Sequence, residues 1–208
     1  MRTPGALNRD HAGKQEEILR AASVCFARHG FHQTSMKEIC SAADRSPGSV
    51  YRYFPAKEDI ITALIEADRR RWETLLEQVP LERGLIPALR SLAEVGLRDL
   101  ETQGFLSLWV ETCAEAARNP KVALTLRRSY ESFEQRLTVL ITDSQKRRTV
   151  NPSLNPVDTA RMILALFDGL ILRKCFDRNL DPSAAVAAFL GFLESLLGPS
   201  RKTPAHRP

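Results

Sequence analysis

The chain has 208 residues, 43% hydrophobic and 26% charged, with a net charge of +5 and four cysteines. That length and balance fit a globular protein of one large or two small domains. The cysteines at 25, 40, 113 and 175 have neither C-x-x-C nor metal-ligand spacing, so no disulfide framework, metal site or cofactor is expected. Cys25, Cys40 and Cys113 lie in apolar helical contexts and read as small buried hydrophobes.

The first ten residues, M-R-T-P-G-A-L-N-R-D, lack the apolar core of a signal peptide. The longest apolar stretch, Met162 to Leu172, is interrupted by Asp168 and Gly169 and is too short to span a bilayer. Both observations lead to an expectation of a cytoplasmic protein without a membrane partner.

Helical periodicity governs the whole chain, and no repeat or convincing strand emerges. A first helix is predicted from about 13 to 29, with Ile18, Leu19, Ala22, Cys25 and Phe26 as its apolar stripe and Gly30 as its stop. Thr34 or Ser35 then caps a short second helix, and Ser35 and Glu38 have capping-box spacing. Met36, Ile39, Cys40 and Ala43 face inward from it. A turn follows at Ala43-Asp44-Arg45, where Asp44 can take the left-handed conformation at modest cost. Ser46 is a good N-cap for a third helix, with Pro47 at its first position. Val50 and Phe54 anchor that helix inward and leave Ser49, Tyr51, Arg52 and Tyr53 outward. Two short helices around a tight turn form the outline of a helix-turn-helix, whose second helix can lie in a DNA major groove.

Helix 4 is predicted over about 57–79, with Ile60, Ile61, Leu64, Ala67 and Trp72 inward and Pro80 just beyond. At about 1.5 Å per residue it is roughly 30 Å long, enough to connect two domains. Five further helices are expected at about 85–102, 105–118, 120–148, 156–178 and 182–197. A basic, Pro-rich tail at 198–208 is expected to be disordered. The predicted fold is therefore all-α: a helix-turn-helix domain with a basic arm at 1–57, suited to DNA, a connecting helix at 58–79, and a helical bundle at 80–197.

Charge supports that division. Residues 1–57 hold nine Lys/Arg against five Asp/Glu, a net of +4, which leaves 21 against 20 for the other 151 residues. Nearly all the basic excess lies where DNA would bind.

Four blocks in order and spacing carry a resemblance: I-L-R-A-A at 18–22, F-A-R-H-G-F at 26–31, T-S-M-K-E-I at 34–39 and S-P-G-S-V-Y-R-Y-F-P-A-K-E-D-I at 46–60. Residues 18–65 resemble the DNA-binding domain of the TetR family of bacterial one-component regulators. S-P-G-x-x-Y-R-Y-F is similar to the branch that includes choline-responsive repressors. The resemblance implies a homodimer that reads a near-palindromic operator and is released by a small effector bound in the C-terminal bundle. Asp44 stands where the family has Gly, and Arg45 where it has a small apolar residue. Either the turn is repacked or Arg45 points to DNA.

The site expectations follow from geometry and resemblance together. Tyr51, Tyr53, Lys57 and Thr34 or Ser35 are phosphate candidates. Arg45, Ser46, Pro47, Ser49 and Arg52 are base-edge candidates. Arg2, Arg9 and Lys14 are candidates for an arm along the backbone or minor groove. Phe105, Leu108, Trp109, Glu111, Thr112, Cys113, Phe133 and Phe167 are candidates to line an effector pocket. Glu111 is either buried with a cationic partner or solvent-facing. Met162, Leu166, Gly169, Leu170, Arg173, Phe189 and Leu193 are dimer-interface candidates, because helix 8 is apolar on two faces and needs two partners. The four histidines, 11, 29, 32 and 206, lie outside the apolar C-terminal core. No phosphate loop, H-E-x-x-H or nucleophile elbow is present, so catalysis is not expected. The other function class is a helical ligand-binding or adaptor protein without specific DNA binding, which salt-dependent binding to specific DNA would separate.

Overall fold

A computed structural model describes residues 4–78, 84–102 and 104–198. Nine helices account for the regular structure of those residues: α1 Pro4–His29, α2 Met36–Ala42, α3 Pro47–Tyr53, α4 Lys57–Gln78, α5 Leu85–Glu101, α6 Phe105–Ala116, α7 Pro120–Lys146, α8 Pro156–Phe176 and α9 Pro182–Leu197. The all-α prediction holds. Boundaries agree with expectation to within about two residues, except at the start of α1. Helix α1 begins at Pro4, so Arg9 and Lys14 lie on a helix and not on an extended arm. Arg2, the end expected near Val79 and the expected disordered tail beyond Gly198 fall outside the described residues.

Local chemistry sets the boundaries. Ser35 caps α2 by accepting the Glu38 N–H at 3.2 Å, while the Glu38 carboxylate lies 3.5 Å from His29 Nε2. Ser46 caps α3 by accepting the Ser49 N–H at 3.3 Å, with Pro47 at the first helical position. Asn155 and Asp181 do the same for α8 and α9, again followed by proline.

Two compact units emerge: 1–71 with 102–129, and 72–101 with 130–208. The division is not collinear with the chain. Helix α6 and the start of α7 pack into the unit that contains α1–α3, and the unit boundaries fall within α4 and α7.

The first unit is built on Ile18, Ala22, Phe26, Phe31, Ile39, Val50, Phe54, Ile60, Ile61 and Val122, all almost fully buried. Cys25 and Cys40 belong to this core, and burial pushes both thiols up. Helix α6 docks on α1 where glycine is required. Gly104 has φ +86, and a Cβ there would meet the Ala27 Cβ at 2.9 Å.

The core of the second unit joins Leu85, Leu89 and Ala93 of α5, Leu137 and Ile141 of α7, Ala160 and Ile163 of α8, and Val186, Phe189, Leu190, Leu193 and Leu197 of α9. Phe189 and Leu193 were expected at the dimer interface. They are 8% and 0% exposed and fill this core instead. Helix α9 is apolar nearly all round, so its sequence alone does not say which stripe turns inward. Leu193→Ala is therefore expected to lower unfolding free energy by about 2–5 kcal/mol, measured by chemical denaturation.

Candidate nucleic-acid interface

Helix α2 ends in a left-handed cap. Asp44 has φ 51, its N–H donates to the Ser41 carbonyl at 3.1 Å, and the Arg45 N–H donates to the Cys40 carbonyl at 3.0 Å. This pair of bonds is a Schellman closure with aspartate in the place that glycine usually occupies. It turns the chain into α3, where Val50 is fully buried and Phe54 is 2% exposed. With those two inward, Ser46, Pro47, Gly48, Tyr51 and Arg52 are exposed, and Ser49 is half-buried. Tyr53 is also half-buried. Its ring lies 4.5 Å from that of His11, and the Arg52 guanidinium lies 5.2 Å above it. An exposed phenol, a guanidinium and two hydroxyl-bearing residues on one short, rigidly anchored helix are the groups that meet phosphates and base edges in a major groove.

The comparisons agree with this geometry. The profile of bacterial regulatory proteins of the tetR family matches residues 18–64, and that of the BetI-type transcriptional repressor C-terminal region matches residues 87–198. The HTH-type transcriptional regulator UidR of Escherichia coli strain K12 is 30% identical over 185 residues, which covers 87% of this chain and 89% of UidR. The solved structure of Salmonella enterica GusR is 32% identical and superposes with a TM-score of 0.76, covering 89% of this chain and 95% of GusR. The chain belongs to the tetR family of bacterial regulatory proteins. It is a DNA-binding transcriptional regulator, and the reading as an adaptor without specific DNA binding is not favoured. These relatives are regulators, not enzymes. At 23% identity, a regulator from Saccharomonospora viridis in complex with choline shares the fold, with a TM-score of 0.73 over 91% of this chain and 100% of its own.

Within this tetR-family unit, two phosphate candidates prove to be internal. Thr34 is 1% exposed, and its hydroxyl donates to the Gly30 carbonyl at 2.8 Å or the Cys25 carbonyl at 3.2 Å. Its own N–H donates to Gly30 at 3.3 Å, so no donor remains for a phosphate. The Lys57 ammonium donates to the carbonyls of Phe31, His32 (3.3 Å) and Thr34 (2.8 Å) and sits 4.5 Å over the Phe31 ring. Three acceptors account for its three protons. Burial holds its pKa below the usual lysine value. Ser35 stays exposed, as its cap role allows.

The base-edge expectation for Arg45 also changes. Its guanidinium is tied to the Glu17 carboxylate on α1, so the turn is repacked and Arg45 is not left free at the outer surface.

The effector-pocket candidates separate into two groups. On α6, Leu108 packs against the first unit's core, and the Thr112 hydroxyl is turned back to the Leu108 carbonyl at 2.8 Å. Glu111 is half-buried and accepts the Phe31 N–H at 2.8 Å, so its partner is a backbone amide, neither a cation nor water alone. Phe105, Trp109 and Cys113 are half-buried on the same helix. In the second unit, Phe133 meets Trp72 edge-on at 6.2 Å. Phe167 lies 6.0 Å from Phe189, with its ring over Gly96, where a Cβ would be 2.5 Å away.

Sequence reasoning missed a carboxylate in this second unit. Asp168 is half-buried and accepts a hydrogen bond from Tyr130, and desolvation raises its pKa. The signal was its place inside the apolar run 162–172, which was used only to reject a membrane span.

Because Lys57 serves the turn and not a phosphate, Lys57→Met is expected to cost about 1–2 kcal/mol of stability. The slope of log affinity against log salt on DNA should stay unchanged, whereas a lost phosphate contact would reduce it by about 0.9. Thermal unfolding and anisotropy titrations at several salt concentrations check the two parts.

Proposed function

We propose that the protein is a homodimeric repressor that reads a near-palindromic operator through α3 and leaves it when a small effector binds the C-terminal region. The single observation that supports the DNA-reading face is the orientation of α3. Val50 and Phe54 are buried, and Ser46, Pro47, Gly48, Tyr51 and Arg52 are exposed. Tyr51 and Arg52 are the contacts with most reach, with Ser46, Pro47 and Ser49 beside them. Tyr53 and Ser35 border that face.

Dimerisation is supported by exposed apolar stripes on α8 and α9, which pack against each other. On α8, Met162, Ala165, Gly169, Leu172 and Phe176 are exposed at alternating steps of three and four residues, with Met162 57% and Phe176 67% exposed. That is the spacing of a helix–helix seam. On α9, Ala184, Ala188 and Phe192 are exposed, and Leu196 adds 44% exposure nearby. Apolar surface of this kind marks an interface. Met162, Gly169 and Arg173 keep the role expected of them in this reading. Leu166 and Leu170 are half-buried against the core and border the seam. The relevant distance between recognition helices in such a dimer is about 34 Å, one turn of B-DNA.

Effector release is a population shift, in which a ligand with unequal affinity for two states moves α4 and the spacing of the two α3 helices. The likeness to a choline-bound relative makes small cations reasonable first compounds to screen. Among the described residues no helix is long and apolar enough to cross a membrane.

The deciding experiment is fluorescence anisotropy on DNA from the region upstream of the gene against a scrambled duplex of equal length, at several salt concentrations. Tight, salt-dependent binding to the first with two subunits per site supports the reading. Equal binding to both removes it. Two variants sharpen the test. Gly48→Ala meets nothing within 4 Å in the protein. It should therefore raise stability by about 0.5 kcal/mol while it weakens DNA binding, because the added methyl faces the groove. Phe192→Asp should yield a folded monomer by sedimentation, with operator binding weakened at least tenfold.

A further inference from the structure

The side chain after the helix-turn-helix cap occupies an unusual place. In a Schellman closure the residue two past the C-cap, here Ala43, commonly makes an apolar contact back to the last turn. Here that residue is Arg45. Its side chain is only 32% exposed, and its Nε is enclosed by protein without a hydrogen-bond acceptor. Its terminal nitrogen bonds Glu17, 28 residues earlier on α1. Asp44 adds a second negative charge close by. The next residue, Ser46, is the cap that starts α3. The Arg45 side chain is instead directed to α1, and its ion pair links the turn before α3 to that helix.

We propose that Glu17 and Arg45 are a positioning pair that sets how α3 is presented to DNA, and so the discrimination between sequences, without either side chain contacting the DNA. The proposal rests on α3 being the recognition helix. A buried aliphatic anchor would hold the turn against α1 with no angular preference. A guanidinium–carboxylate hydrogen bond is directional, and here one guanidinium nitrogen meets one carboxylate oxygen, which biases the turn toward one orientation. Because bases are read by groups a few ångströms long at the end of α3, a small rotation of that helix changes base contacts before it changes phosphate attraction.

The test uses full-length protein and two duplexes: one recovered by the wild type from a random library and a scrambled one of the same length. The measured quantity is the affinity ratio between them. A wild type that shows no discrimination sinks the recognition-helix reading, and this proposal with it. With discrimination established, E17A and R45A should each lower the ratio about fivefold, the upper range for one partly exposed ion pair. The double variant should lose no more than either single one, because the two act as a unit. The charge-swapped E17R/R45E should recover most of the ratio. Salt slopes should stay unchanged throughout. The proposal is overturned if R45A alone reduces the slope by about 0.9, which identifies a direct phosphate contact. It is equally overturned if E17A leaves the ratio intact, or if the single losses multiply. Melting temperatures of the same variants separate misplacement of α3 from unfolding, and a drop in melting temperature without a change in ratio also counts against it.

Discussion

The first unit depends on how the chain's polar backbone is satisfied between α1 and α2. Gly30 ends α1 with φ +78, and the chain between the helices carries the buried Phe31 and Thr34, whose backbone groups need partners. Three side chains supply partners. Thr34 returns to Gly30 and Cys25, Lys57 takes the carbonyls of Phe31, His32 and Thr34, and Glu111 takes the Phe31 amide. Glu115, one turn after Glu111 and 5% exposed, lies 3.3 Å from His32 Nε2 and is held at its other oxygen by Asn119 at 3.1 Å. Phe31 can stay in the core only because its own backbone groups are answered in this way.

That constraint explains why α6 belongs with α1–α3 despite the 80-residue gap between Phe31 and Glu111. Glu111 closes against Gly30, where a Cβ would lie 3.2 Å from its carboxylate, and Gly104 lets the other end of α6 approach Ala27. The start of α4 is bound to the same turn through Lys57. A second tie, Asp59, accepts the Ala56 N–H at 2.9 Å and pairs with Lys121 at the start of α7, which holds its carboxyl below the usual range. The N-terminal segments of α4 and α7 are therefore part of the first unit, by charge as well as by apolar contact.

These ties mark the limit of what the sequence discloses. The capping serines 35 and 46, Pro47 after the second of them and the inward pair Val50 and Phe54 act through local spacing, and all were legible. So was the left-handed Asp44, because the penalty for that conformation is a property of one residue. Lys57 was not, because a lysine just after a helix-turn-helix is read as a phosphate ligand until its carbonyl partners 23–26 residues away are seen. Thr34 failed for a related reason. Ser35 was already the capping-box residue by its spacing to Glu38, but a second hydroxyl beside a helix start also looks available to an anion until its carbonyl partners are seen. In the second unit, Phe189 and Leu193 were indistinguishable from Phe192 and Leu196 on a helix apolar nearly all round, so burial alone sorts core from exposed stripe.

The same distinction bears on how this chain differs from its relatives. A core of aliphatic residues tolerates exchange as long as volume is kept. The polar ties around residues 30–34 do not, since removing one partner leaves a buried group unanswered. The turn at Asp44 and Arg45 stands between these cases. Its cap is made by backbone bonds that accept aspartate at the left-handed position, and its anchor is the charged pair of Arg45 with Glu17. Change at such a place leaves the fold intact and alters only how α3 is set on its support. Sequence discrimination can therefore diverge in this regulator without any exchange among the residues that face the DNA.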